Sequence, residues 1–289
     1  MRKWVIIIVL SLPLGLWAQG QGLQVALQGG AAGWQIENGT HTWSPEGGLD
    51  LRYIMRCRVG RYTQLGLHAG VGASYSAYKL KGDLTDHFTR QDYLGNTIQY
   101  TTSAHAEEKH QAVGVSVPLL FALQTHGATV NIGPKLLWLA YDRYDQTVDH
   151  ADIVAFYPAY GVPVHNQPGT GIMDTPYSQS GRSANSTIHL LLTAEIGYEW
   201  QLGNPYSRYS EQYIGLQLYA NYGLCSWGNR AGEPFMSVSS ITATQGPQIT
   251  TTAIQQSSAL AYLSLGVRFY YTIQTVDYPG RGWHHYQAR

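Results

Sequence analysis

From residue 23 onward the chain alternates apolar and polar side chains at a period of two, in eight separate stretches. A period of two puts successive side chains on opposite faces of an extended backbone, so each stretch reads as a β-strand with one apolar face. Leu23, Val25 and Leu27 oppose Gln24, Ala26 and Gln28, while Leu49, Leu51, Tyr53, Met55 and Cys57 oppose Asp50, Arg52, Ile54, Arg56 and Arg58. The rule holds from Leu65 to Ala73, from Val113 to Phe121, and from Val130 to Trp138, where the polar face turns apolar at Leu137 and Leu139. Ile188 to Trp200, Ile214 to Tyr222 and Leu263 to Phe269 complete the set. Strands of about 9–13 residues are long enough to cross a bilayer when tilted.

Alternation does not say which face meets water. A soluble lipocalin-like barrel also has about eight such strands, with the apolar face inward. Composition separates the two arrangements. Only 12% of the 289 residues are charged, 18 basic against 18 acidic, and mean hydropathy is −0.20 although 44% of residues are hydrophobic. Soluble domains carry about 25% charged residues. Here the face opposite the apolar one is Gly, Gln, Ser and Tyr rather than Lys and Glu, and the apolar face is flanked by Tyr or Trp, as an interfacial girdle requires.

Connection lengths point the same way. Tight turns fall near Gly60 and Gly127 and a moderate one at Gly203–Gln212, whereas residues 36–46, 79–108, 142–185 and 226–256 are long excursions. Short turns on one side and long loops on the other describe an outer-membrane barrel. The expected fold is all-β: an eight-stranded antiparallel up-and-down transmembrane β-barrel with long extracellular loops, in the outer membrane of a Gram-negative cell. Asp92–Thr102 around Gly95-Asn96 and Ser237–Ile254 around Gly246-Pro247 read as hairpins, expected as strand extended above the membrane, with ten spanning strands as the alternative. No apolar run past the N-terminus reaches about 18 residues, which excludes a helical membrane protein. Zero net charge without a Lys/Arg run argues against a nucleic-acid partner.

At the N-terminus Arg2 and Lys3 precede Trp4-Val5-Ile6-Ile7-Ile8-Val9-Leu10, with small residues around Ala18, the pattern of a secretory signal peptide. The expected organisation is a signal peptide over residues 1–18, a barrel over 19–272 and a periplasmic tail over 273–289.

Val117-Pro118-Leu119-Leu120, Asn131-Ile132-Gly133-Pro134, Glu195-Ile196-Gly197-Tyr198-Glu199 and Leu265-Gly266-Val267-Arg268-Phe269 together give the chain a likeness to one family. It resembles the PorT-like outer-membrane β-barrel domains. That resemblance implies eight strands and, from its namesake, a link to protein secretion. Arg268-Phe269 also resembles the aromatic signal read by the barrel-insertion machinery, although here the chain continues beyond it.

The chemistry-bearing residues fall into three groups. Arg52, Arg56, Lys135, Glu195, Glu199 and Arg268 share the inward parity and are expected to pair in a closed polar network, because charges inside a narrow barrel are costly unless paired. Lys135 and Glu195 are expected to be neighbours. Asp86-His87, Asp149-His150 and Asp152 are candidates for a rim hydrolase, but adjacent strand residues point to opposite faces and no serine elbow accompanies them. His105 with His110, and His284-His285, lack a spacing that closes a metal site. Cys57 and Cys225 belong to opposite ends of the barrel and are expected not to bridge.

The expected function is therefore non-enzymatic: a barrel with a plugged lumen and a structural, assembly or loop-binding role, without metal or cofactor. A narrow channel and a rim hydrolase are the alternatives. Expected partners are outer-membrane lipid, envelope or secretion-system proteins, and an external protein or glycan met by the uncharged loop Tyr157-Pro158-Ala159-Tyr160-Gly161.

Overall fold

The computed structural model describes residues 20–36, 42–60, 62–91, 94–165, 177–182, 188–202, 211–227, 236–238, 249–251 and 260–276. The expected signal peptide, most of the expected C-terminal tail and His284-His285 lie outside the described residues. The described chain is all-β, with twelve strands. They are β1 (Gly20–Ile36), β2 (Thr42–Arg58), β3 (Thr63–Gln91), β4 (Thr97–Thr125), β5 (Ala128–Tyr157), β6 (Val162–His165), β7 (Tyr177–Arg182), β8 (Ile188–Leu202), β9 (Glu211–Trp227), β10 (Met236–Val238), β11 (Ile249–Thr251) and β12 (Leu260–Val276).

Eight of these close into a ring. The order β4-β3-β2-β1-β12-β9-β8-β5 is completed by pairing of β4 with β5, and every neighbour is antiparallel. The ring therefore has no unpaired edge over its common height, which removes the exposed N–H and C=O groups of an open sheet. Neither hairpin of the ten-strand alternative adds a ring strand. The Gly95-Asn96 turn, with Gly95 at φ 84°, joins β3 to β4 at their far tip, and β10 with β11 forms a separate two-stranded ribbon. At the opposite end β4 and β5 are joined by the two-residue turn His126-Gly127. Both residues have positive φ, the geometry that matches the twist of a two-residue hairpin.

Several strand boundaries differ from the sequence expectation. Residues 79–108 and much of 142–185 are strand well beyond the expected hairpin at 92–102: β3 and β4 have 29 residues each and β5 has 30, so the three continue beyond the ring as a tongue. Segment 36–46 is also largely strand, because β2 begins at Thr42. β12 runs to Val276, past the expected limit at 272, because Ile273 keeps the outward apolar parity and Gln274 the inward polar one.

Burial in the ring is inverted relative to a soluble protein. Leu27, Val71, Val117, Phe121, Ile196, Leu218 and Phe269 are exposed around its outside, whereas Gln24, Asp50, Arg52, Asn131, Glu195, Gln217 and Arg268 are each at most 3% exposed within it. Outward aromatic residues flank the apolar band: Tyr75, Trp138, Tyr141 and Tyr222 toward the tongue, Tyr62, Tyr198 and Trp200 toward the turns. Along β4 the outward apolar residues run from Val113 to Leu123. That is about 33 Å of strand, or about 25 Å of height at a tilt of ~40°.

Candidate functional site: the charged interior of the ring

Strands β2 and β8 stand opposite each other in the ring, three strands apart in either direction. Each presents two charges four residues apart, which the period of two aims into the same interior. Arg52 donates both terminal nitrogens to Glu195, at 2.9 and 2.7 Å, and Arg56 does the same to Glu199, at 2.8 and 2.9 Å. Two parallel forked ion pairs thus cross the ring interior, the geometry in which arginine binds carboxylate best.

Other residues complete the network. Asp50 accepts from Arg52 at 2.9 Å and lies 3.5 Å from Nε of Arg268. Arg268 donates to Gln24 at 2.6 Å and to Gln217 at 2.9 Å, and Gln24 and Gln217 donate onward to Thr272 and Thr129. Asn131 donates to Glu195 at 2.8 Å, while Gln124 and the Tyr270 hydroxyl donate to Glu199, each at 3.1 Å. Arg56 also donates to Gln274 at 3.3 Å. Small residues make room for these long side chains. A Cβ on Gly70, which pairs with Arg52, would lie 2.2 Å from the Leu51 carbonyl oxygen.

Five of the six expected network residues, Arg52, Arg56, Glu195, Glu199 and Arg268, have charged partners here. Lys135 does not meet Glu195 as expected. The β5–β8 register sets Asn131 opposite Glu195 and Lys135 opposite Leu191, two repeats of the pleat higher, and Lys135 has no ion pair among the described residues. Sequence depth alone could not give that register, since the connection between β5 and β8 holds β6 and β7. Asp50, absent from the expected set, carried a usable signal because it shares the parity of Arg52 and Arg56.

Toward the turns, Arg56, Gln64, His68, Gln124, Asn131, Gln217 and Tyr270 enclose a cavity of about 10 Å³. Its buried polar atoms include both nitrogens of His68 and one oxygen each of Gln64, Gln124 and Asn131 without a protein partner. A space of this size and polarity suits about one water molecule. Toward the tongue, Trp34 closes the interior, its ring 5.0 Å from Tyr78 and from His189 and 4.6 Å from Tyr262. Leu137, Leu139 and Leu191 pack with it in an apolar core that continues along the inner face of the tongue through Leu80, Ile98, Tyr100, Ala104 and Ala106.

That core holds a second polar cluster, which the sequence reading missed. His110 lies between two carboxylates, Nδ1 3.0 Å from Asp142 and Nε2 2.9 Å from Glu108, and stacks on Tyr78 at 4.5 Å. Tyr78 donates to Asp142 and Gln146 to Glu108. Carboxylate acceptors on both ring nitrogens require both to carry protons, so the imidazole is cationic. Burial opposes that charge, but the hydrogen bonds and charges of Asp142 and Glu108 prevail and push the pKa up to about 9.

Of the rim candidates, His87 and Asp152 have side chains among the described residues. His87 bonds Thr101 at 3.1 Å on the exposed face, and the side chains of Asp86, Asp149 and His150 lie outside the described residues. His105 faces out and pairs with Asp83 at 2.7 Å, on the face opposite His110. No group of three metal-ligating residues occurs among the described residues, and Cys57 and Cys225 are both free thiols.

No protein-family model and no curated sequence matches the chain. Among solved structures it is similar to the TodX monoaromatic hydrocarbon channel deltaS2 mutant, at 7% identity over 90% of each chain, and to the CymD monoaromatic hydrocarbon channel, at 7% identity over 89% of each. The TM-scores are 0.16 and 0.14, likenesses too slight to carry an argument about function.

Proposed function

We propose that the chain is an outer-membrane β-barrel with a filled interior, acting without enzymatic chemistry as a structural or assembly component, or as a platform for binding through its external end. One observation carries this reading: the ring buries Arg52, Arg268, Glu195 and Glu199 and exposes Leu, Val, Ile and Phe over a height of about 25 Å. In water such a surface would aggregate; in lipid it is the stable arrangement. The forked pairs across the ring and the Trp34 cluster support a plug rather than a pore. The link to secretion rests on the PorT-like resemblance alone. Binding at the external end is favoured by the Tyr157–Val162 turn, where Phe156, Tyr160 and Val162 are exposed.

Reconstitution tests the proposal. Protein refolded into liposomes should resist protease over the ring and show no steady conductance in a planar bilayer. A stable single-channel current from pure protein would replace the plug with the narrow-channel alternative.

A further inference from the structure

Directly beyond the apolar belt, on the outward face of β3, β4, β5 and β7, the side chains become cationic. The last apolar row is Tyr75, Val113 and Tyr141, which are cross-strand neighbours. The next outward row holds Gln111, Arg143 and Arg182; the two arginines are directly paired across β5 and β7. The row beyond has Lys79 directly opposite Lys109, then Asp145 beside it, and the third has Lys81 and Glu107. Two like-charged cross-strand pairs in adjacent rows cost stability unless a counter-charge sits against them.

The protein supplies too little. Glu107 lies 2.6 Å from Lys81 and 4.0 Å from Lys79, and Asp145 is 3.9 Å from Arg143. Five cations share two carboxylates, and among the described residues Lys109 and Arg182 have none. The Arg182 guanidinium instead lies 5.2 Å over the Tyr141 ring, which ties it to the edge of the apolar belt. With two residues spanning about 6.6 Å of strand, the cations stand within ~20 Å along the strand of the last apolar row, and the first two rows within ~13 Å. The headgroup layer begins at that edge and is about 5–8 Å deep per leaflet. At a tilt of ~40° the first row lies within it, about 5 Å up, and the second lies about 10 Å up, just past its outer edge and within reach of it for a long Lys side chain. Among the described residues the other ring strands carry no outward cation at this level, so the feature belongs to one sector.

We propose that Lys79, Lys109, Arg143 and Arg182, with Lys81 beside them, bind the phosphate-bearing headgroups of anionic lipid in the leaflet on the tongue side. The inference rests on the membrane reading above and adds to it a specific, one-sided lipid contact. Phosphate oxygens supply the counter-charge the paired cations lack, and each Lys or Arg near an anionic surface raises retention roughly fivefold.

The test uses the full chain in phosphatidylcholine nanodiscs containing a minor fraction of bisphosphorylated lipid A or its dephosphorylated form. Phosphorylated lipid retained by the protein is counted by native mass spectrometry, and insertion is read in parallel by heat-modifiable migration. The wild type should retain the phosphorylated form and not the dephosphorylated one. A variant combining Lys79→Gln, Lys109→Gln, Arg143→Gln and Arg182→Gln should insert normally and retain roughly tenfold less or lower. Arg58→Gln with Arg90→Gln, exposed cations outside the band, should change nothing. An inserted quadruple variant that retains the lipid equally would overturn the proposal alone. A wild type that does not insert would overturn the membrane reading and this proposal with it.

Discussion

Strand β4 reverses its chemistry halfway along while its geometry stays the same. From Val113 to Leu123 the outward residues are Val, Leu and Phe, and the inward partners include Ser116. From Gln99 to Gln111 the outward residues are Gln, Thr, Ser, His, Glu and Lys, and the inward ones include Ile98, Tyr100, Ala104, Ala106 and Ala112. Strands β3 and β5 reverse at the same level. One region exposes apolar side chains and the other polar ones, and on the membrane reading proposed above the reversal marks where the surrounding solvent changes from lipid to water. The two regions also use buried charge differently. The ring crosses its interior with ion pairs between opposite strands, whereas the tongue holds one cation, His110, inside an apolar core.

The largest expected break in that contrast comes from Glu195→Leu. It leaves the buried Arg52 and Arg268 with Asp50 alone as a shared carboxylate, two cations on one anion, and should lower the unfolding free energy of the refolded ring by about 3–5 kcal/mol. Replacing Arg52 by Met in the same chain should recover part of that loss. Urea titration in detergent micelles, followed by heat-modifiable migration, reads both effects.

A charge placed on the outer face should have opposite consequences above and below the reversal. Val117→Arg, within the apolar belt, should cost about 2–4 kcal/mol in a bilayer. Ser103→Arg, at the same outward parity on the tongue, should fall within about 0.5 kcal/mol of wild type. Equal effects at the two positions would mean that both surfaces meet the same solvent.

His110 sharpens the comparison through pH. Its folded pKa of about 9 exceeds the ordinary value of 6.5, so its stabilisation is fully present below about pH 6.5 and is lost as pH rises through 9. Glu108 on β4, Asp142 and Tyr144 on β5 and Tyr78 on β3 are the titratable groups that face it. Amide hydrogen exchange in residues 97–112 should therefore accelerate between pH 7 and 9 beyond the intrinsic base catalysis, by an opening free energy of at most roughly 3 kcal/mol. His110→Gln should remove that excess, and ring strands should show none of it.

The smallest effects are expected at two glycines, Gly70→Ala within the ring and, smaller still, Gly95→Ala at the hairpin tip. Gly70 has no room for a Cβ beside the Leu51 carbonyl, so a backbone shift of about 1–3 kcal/mol follows; Gly95 is open but has φ 84°, a cost of about 1 kcal/mol. Thermal midpoints of the two variants separate packing from backbone strain.

Parity made the inward charges legible, because a strand residue's face follows from counting by two: Arg52 and Arg56, then Glu195 and Glu199, stand out at once. Their depth did not follow. The β5–β8 connection contains β6 and β7, so the register that brings Asn131 rather than Lys135 to Glu195 is set by pairing around the ring. The tongue was legible in part, as long segments with a hairpin signal at Gly95-Asn96, but not in its length or in the joining of β5 to it. There the same inward parity becomes apolar at Trp34, Tyr78, Leu137 and Leu139, and a reading that assigns one polarity to one face stops where the polarity changes.

By itself the sequence pointed to the eight ring strands, the antiparallel order of short and long connections, and which side chains share a face, because each depends on local periodicity and turn chemistry. Only the tertiary structure decided that β2 stands opposite β8, that Arg52 and Arg56 reach Glu195 and Glu199 across the interior, and that His110 is held between Glu108 and Asp142. Those contacts join residues far apart in the chain, and closing the ring is the step that brings them within hydrogen-bond reach.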